Sequence, residues 1–419
     1  MHVSEFNRRS TGSAFACTVG TMLASGTTII GTFSVFMLPI LAEFGWGRAK
    51  ISGVMMTMSC TSALLSPLVG RLLDRWGVRR VVLPGFLLFA LAVMGLSRAS
   101  ENVVLFYLAF LTVGVPAALI SIVPYVKVVS AWFNHRRGLV LALVGVGATL
   151  CGSQMPPLAR WLIDGHGWRD AYLIMGVAIL LIGLPILWAL LHEPARRPER
   201  TAQASDPLQQ GMSAAQIRRD PTYWLLIAIL FLSTFAVGGT LGHMVPLMVD
   251  RGLTPAQAAL ALSIFPLGSV IGRLGMGFLL DHFRTPRVAL PFFAAAMLGL
   301  LLLQSGESLG QFVAAGALLG LCLGAEGESA PYLHSRYFGL KAFAETFGLK
   351  FMFLAIGNGV GILAMGAAHD LFGDYRPLLW VFLGLFVLTL IFLLLLGPYR
   401  FDPRQPNTLP QAEPEATTA

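Results

Sequence analysis

Between two long apolar runs lies Gly70-Arg71-Leu72-Leu73-Asp74-Arg75-Trp76-Gly77-Val78-Arg79-Arg80, a short break that packs in four arginines and one aspartate. A break this short cannot cross a bilayer. The flanking runs must therefore return as an antiparallel helical hairpin with this loop at its tip. Clustered arginines in such a loop mark its cytoplasmic side. A merely solvated charge run would account for the residue types, but not for two membrane-length flanks.

Composition agrees. Apolar residues are 56% of the chain and charged residues 12%, about half the charge of a soluble domain. The net charge of +8 sits in short loops, where it acts as an orientation signal. No basic helix with interleaved aromatics stands outside the apolar runs, so nucleic acid is not expected as a partner. Cys17, Cys60, Cys151 and Cys322 all lie inside apolar runs. They read as small buried residues, with no disulfide, metal site or thiol catalysis. The run from Ala14 to Leu41 follows Arg8 and Arg9, but it exceeds the roughly 7–15 apolar residues of a secretory signal, so it is expected to remain as a membrane helix.

Windows long enough to span fall near 14–41, 51–70, 81–97, 103–130, 138–160 and 171–191, then near 222–248, 256–279, 288–304, 311–334, 342–368 and 377–397. The expected fold is an all-α membrane protein of twelve transmembrane helices in two pseudo-symmetric bundles of six. Residues 1–191 form the first bundle, 192–220 a cytoplasmic linker, 221–400 the second bundle, and 401–419 a disordered tail. With both termini inside, nineteen arginines and lysines fall in cytoplasmic segments and seven outside. That asymmetry sets the orientation and points to a multi-pass protein of a bacterial-type inner membrane.

The two halves repeat. Gly70-x-Leu72-Leu73-Asp74 returns as Gly277-x-Leu279-Leu280-Asp281, and Trp168-Arg169 returns as Tyr375-Arg376, both 207 residues on. Trp132-Phe133 returns as Tyr337-Phe338, 205 on. A parallel duplication of this kind is a transporter architecture with its substrate near the midplane between the halves.

Lys127, Arg273 and Lys350 are the three basic residues inside spans. A charge at the bilayer centre costs at least about 2.5–3.5 kcal/mol, so each is a functional candidate. Counted from the nearest cytoplasmic end, all three and Glu326 lie about 12–15 Å deep, and are expected to form a single site. Glu328 is two positions from Glu326, too far round the helix to share its cavity, and continues the small-residue row Gly316, Gly320, Gly324, as in a helix–helix contact. Arg273 and Lys350 either bind a substrate anion or pair internally with the glutamates; Lys127 either joins them or reaches for the headgroups. In the first span Thr18, Thr21, Ser25, Thr28 and Thr32 share one face. They either wall a water-filled path, with Ser25 and Thr28 touching substrate, or bond back to their own helix. His243 reads as a gate, a proton-handling residue or plain structure. No phosphate loop, zinc motif or nucleophile elbow occurs, so neither an enzyme nor a cofactor is expected.

The string Gly70, Asp74, Arg75, Gly77, Arg79 resembles the loop signature of the major facilitator superfamily. Trp132-Phe133, Arg136-Arg137-Gly138, Gly167-Trp168-Arg169, Gly272-Arg273 and Lys350 are similar to its monocarboxylate and oxalate–formate branch. That resemblance implies a carboxylate-binding role for Arg273, and one for Lys350 as in the oxalate carriers. It also implies a conformational gate at Asp74, with a degraded second copy at Asp281. The first span lacks the lysine that animal monocarboxylate carriers share, so Lys127 and Glu326 are the candidates for proton coupling, unless transport is by exchange. The reading is a monomeric secondary transporter moving a small organic anion by alternating access. Alternatives are an exporter of neutral or drug-like solutes, with Arg273 held by Glu326, and a membrane sensor that does not transport.

Overall fold

The computed structural model describes residues 7–133, 137–193, 211–283, 285–339 and 341–401. The expected linker and tail fall largely outside these residues, as does Arg136 of the branch motif. The side chains of Asp74, Asp281 and Arg137 are likewise outside the described part.

The described chain is almost wholly helical, and its one β-type contact is the isolated bridge between Gly211 and Gly339. Ten helical segments are long and apolar enough to cross a membrane. The twelve spans of the sequence are recovered once two features are resolved. The segment Leu143–Leu190 runs for 48 residues, but Gly167 at φ 81° bends it into a fifth and a sixth span. Arg48–Trp76, the second span, is 29 residues long and carries enough charge at its ends to dilute its apolar character. The chain is a multi-pass membrane protein whose spans fold as two groups of six.

The first span is broken. An α-helix Arg8–Met22 gives way to a π-turn Gly26–Ile30 and then to a second helix, Phe33–Phe44. Thr27 Oγ1 donates to the Met22 carbonyl at 2.5 Å, five residues back, a register that suits the widened turn. Such insertions recur where a helix serves a site.

At one end of the molecule the halves are in close contact. The second span of the first half lies along the eleventh of the second, Phe343–Phe372. A Cβ on Gly366 would come within 2.7 Å of the Arg48 carbonyl oxygen, and one on Gly359 within 3.1 Å of Met56 Cα. We call this the Arg48 end; the opposite, terminal end carries Arg8 and Arg400. The part of the linker that is described docks on the second half: Met212 N–H donates to the Phe338 carbonyl, and Ser213 and Gln216 cap the short helix Ala214–Arg219.

In the second half, the eighth span (Pro255–Leu280) and the tenth (Leu309–Phe338) touch backbone to backbone. A Cβ on Gly272 would overlap the Leu321 carbonyl oxygen, and one on Gly324 would overlap that of Ser269. Only residues without a side chain permit this approach. It fixes which residues of the two helices can meet further along.

Candidate functional site

Arg273 follows Gly272, and Glu328 lies one turn beyond Gly324, so the glycine contact brings them together. Arg273 Nε stands 3.4 Å from Glu328 Oε1, and the two side chains are 48% and 40% exposed. Across the boundary between the halves, a Cβ on Gly145 of the fifth span would lie 3.6 Å from Arg273 Nη1. The pair thus sits mid-span where the halves face each other. A long, half-open pair is weakly held, worth about 1 kcal/mol at most. Its guanidinium keeps further donors for a second carboxylate.

The four charges expected at one depth do not converge in this structure. Glu326 turns away from Arg273 and is buried, with its Oε2 accepting a hydrogen bond from Ser233 Oγ of the seventh span at 2.5 Å. Its Oε1 has no hydrogen-bond partner among the described residues. An Arg273–Glu326 pair, the internal alternative, is therefore not formed; Glu328, expected in a helix contact, is the partner instead. The reason is rotational. Positions two apart on a helix point to nearly opposite sides, and the glycine row sets which side faces the eighth span.

Lys350 is 1% exposed. Its ammonium lies 5.2 Å from the centre of the Tyr223 ring and 5.4 Å from that of Phe338, and Nζ has no hydrogen-bond partner among the described residues. It borders a small enclosed cavity with Leu226, Ser329 and Leu333, inside the second half rather than between the halves. Lys127 Nζ donates to the Leu73 carbonyl at 2.9 Å, reaching toward the end of the second span.

The hydroxyl face of the first span is turned inward on itself. Thr18, Thr21 and Thr28 each donate to a carbonyl four residues back, and so does Thr32. Thr28 and Thr32 are fully buried, while Ser25 is partly exposed at the head of the π-turn. Back-bonding, one of the alternatives open in the sequence, describes the four threonines, while Thr18 and Ser25 stay partly exposed.

At the terminal end, Gly77 at φ 84° turns the chain from the second span into the third, Val78–Leu96. The Val78 N–H is capped by the Glu193 carboxylate, and Arg79 Nη2 donates to the Trp188 carbonyl at 2.6 Å. The loop motif is thus fastened to the end of the sixth span. Arg75 is exposed, and no side chain lies within 4 Å of a Cβ placed on Gly70.

The polar cluster at the Arg48 end is not singled out by motif or depth. Arg48 Nη2 donates to Asp250 Oδ1 at 2.8 Å and Nη1 to the Tyr375 hydroxyl at 2.6 Å. The backbone N–H groups of Arg48 and Ala49 both donate to Asp370, each at 2.8 Å. A sequence signal for it does exist. Asp250 is Glu43 advanced by the 207-residue offset of the repeat, as Gly252 is Gly45. Glu43 serves its own half, accepting from Trp168 Nε1 at 2.6 Å, while Asp250 takes an arginine from the other half.

Known membrane transporters share this architecture. The family model of the Major Facilitator Superfamily matches residues 14–324 and again 240–418. Monocarboxylate transporter 13 of Bos taurus is 27% identical over 388 residues, covering 91% of this chain and 88% of that protein. The uncharacterized MFS-type transporter YhjX of Escherichia coli is 26% identical, covering 81% and 84%. Among solved structures, the nucleoside transporter NupG superposes with a TM-score of 0.73 at 14% identity, over 92% of this chain and 99% of that one. A bacterial homologue of the human lysosomal transporter Spinster, inward-facing and unoccupied, does so at 0.70 and 16%, over 93% and 95%. With twelve spans in two halves and a family match along nearly its whole length, the chain belongs to the major facilitator superfamily and is a membrane transporter.

Proposed function

We propose that the protein is a secondary transporter of a small, monocarboxylate-like organic anion, working by alternating access. The observation that carries this reading is the Arg273–Glu328 pair: 3.4 Å long, half-exposed and at the boundary between the halves. An arginine held so loosely can exchange its own carboxylate for that of a substrate, and a guanidinium grips a carboxylate with two parallel hydrogen bonds. The names of the bovine relative and of a mouse monocarboxylate transporter 11, 28% identical over 356 residues, support the same substrate class.

In this reading both termini are cytoplasmic and the Arg48 end faces outward. The halves being joined there, the conformation is inward-facing. Glu326, buried with Ser233 and close behind the site, is the proton-coupling candidate. Lys350 joins the site only if the second half rearranges. The gate role for Asp74 and Asp281 rests on the loop motif alone.

A second reading has specific support. Arg273 does have a carboxylate partner within the protein, as it would in an exporter of neutral or drug-like solutes. The fujikurins efflux protein of Gibberella fujikuroi is also a relative, 28% identical over 221 residues and 51% of this chain.

Uptake into proteoliposomes separates the two. A panel of short monocarboxylates and neutral drug-like solutes is offered with and without an inward proton gradient. Saturable uptake of monocarboxylates, with neutral solutes excluded, is the expected result. Transport of neutral solutes alone overturns the anion reading.

A further inference from the structure

His243 in the seventh span, Pro221–Asp250, is fully buried where the halves meet, and one of its hydrogen bonds, to Ser52, crosses between them. Its Nε2 lies 2.9 Å from Ser52 Oγ of the second span and 3.0 Å from the Ile362 carbonyl of the eleventh. Its Nδ1 lies 2.9 Å from the Tyr375 hydroxyl.

These partners determine where the protons are. Ser52 Oγ donates its single proton to the Arg48 carbonyl at 2.7 Å, so toward His243 it can only accept. The Ile362 carbonyl can only accept as well. Nε2 therefore carries a proton and shares it between the two. Tyr375 accepts from Arg48 Nη1 at 2.6 Å and has its own proton free to give to Nδ1. Every donor finds an acceptor, and the assignment holds only for a neutral imidazole.

A second proton, on Nδ1, would undo it. The Tyr375 oxygen would then face two donors, the imidazolium and Arg48, and would lose the acceptor for its own proton. A new cation would also stand beside the Arg48 guanidinium in a buried place. The other charged or titratable groups turned toward this point are already engaged. Asp250, on the same span, holds Arg48 and lies 3.6 Å from His369 Nε2. Asp370, on the eleventh span, caps the start of the second and lies 3.9 Å from His369 Nδ1.

We propose that His243 is a proton-binding site built into the contact between the halves, and that proton uptake there parts them at the Arg48 end. The step is proton addition at Nδ1. It makes the imidazolium and Arg48 rival donors on the Tyr375 oxygen and sets two cations side by side, and so loosens the Arg48–Tyr375 hydrogen bond that crosses between the halves. This goes beyond the choice of substrate and depends only on the geometry of this end.

The test reads distance. The protein is reconstituted in nanodiscs with its four native cysteines replaced by serine and spin labels placed at Lys50→Cys and Ala256→Cys, both exposed at this end. Pulsed EPR distance distributions are recorded between about pH 8 and pH 5, where an imidazole titrates. A single short distance at high pH, giving way to a longer one in acid, is expected. His243→Gln, which can keep the donor and acceptor but binds no proton, should hold the short distance throughout. Tyr375→Phe removes the donor that occupies Nδ1, so the separation should occur at a pH higher by about one unit. His369→Gln should leave the transition in place. No dependence on pH in the parent, an unchanged transition in His243→Gln, or its loss in His369→Gln would each overturn the proposal. No substrate is present in the experiment, so its failure is distinct from failure of the anion reading.

Discussion

Arg273 and Glu328 meet at 3.4 Å because Gly272 and Gly324, their neighbours on the eighth and tenth spans, let two helix backbones touch. The charged pair at the boundary between the halves is thus a consequence of small residues buried behind it.

The glycine contact is directly testable. Gly324→Ala places a methyl against the Ser269 carbonyl oxygen, and overpacking of this kind costs about 1–3 kcal/mol. Thermal unfolding in detergent should fall accordingly, and anion binding should weaken in the same variant because Arg273 and Glu328 are displaced. A variant with parental stability and binding would show that the close contact does not set the site.

Removing the partner of Arg273 should be mild. The pair is half-open, so Glu328→Gln and Arg273→Gln should each change stability by no more than about 1 kcal/mol. A buried pair would lose about 3–5 kcal/mol when broken. Expression level and melting temperature of both variants decide the matter. Glu328→Gln should also tighten anion binding, since it frees the guanidinium.

Glu326 tests the coupling. Glu326→Gln keeps an acceptor for Ser233 but binds no proton, so gradient-driven accumulation should disappear while substrate exchange persists. Proteoliposome assays of both modes read the result, and parental accumulation would remove Glu326 from the mechanism.

Outside the membrane, Asp220 provides a pH signature. It caps the seventh span through Thr222 N–H at 2.8 Å and pairs with Arg400. Burial works against its charge, yet the Arg400 and Thr222 hydrogen bonds prevail and hold its carboxyl below the ordinary value. Its stabilising effect is therefore complete above the unfolded value, about 3.9, and is lost as pH falls through the lower folded value. Asp220→Ala should cost about 1–2 kcal/mol at neutral pH, with the difference from the parent shrinking in acid. Melting temperatures measured from neutral pH to about pH 3 provide the check.

Much of the fold is legible in the chain because membrane-length apolar runs and arginine-rich breaks leave few arrangements. The second span is legible as the apolar window 51–70, although Arg48, Lys50, Arg71, Asp74 and Arg75 at its ends dilute the helix as a whole. The site is less legible. Depth along a helix can be counted, which finds Arg273, Glu326 and Lys350, but direction around it depends on neighbours. Separation by two positions shows that Glu326 and Glu328 diverge; only the glycine contact shows which one faces Arg273. Lys350 has the expected depth and turns into its own half beneath Tyr223 and Phe338. The Arg48–Asp250 link arises because a duplicated acidic position acquired a partner across the halves, which no local pattern reveals.

The central claim is that Arg273 receives a substrate carboxylate. Ligand-induced thermal shift and proteoliposome uptake are measured for the parent, Arg273→Lys and Arg273→Gln, using the monocarboxylate that the parent transports best. Lysine keeps the charge and loses the two-pronged geometry, so affinity should fall by about 1–3 kcal/mol, roughly 5- to 150-fold. Glutamine should abolish the shift and the uptake while the protein still folds. A well-folded Arg273→Gln that binds and transports the anion as the parent does would contradict the account.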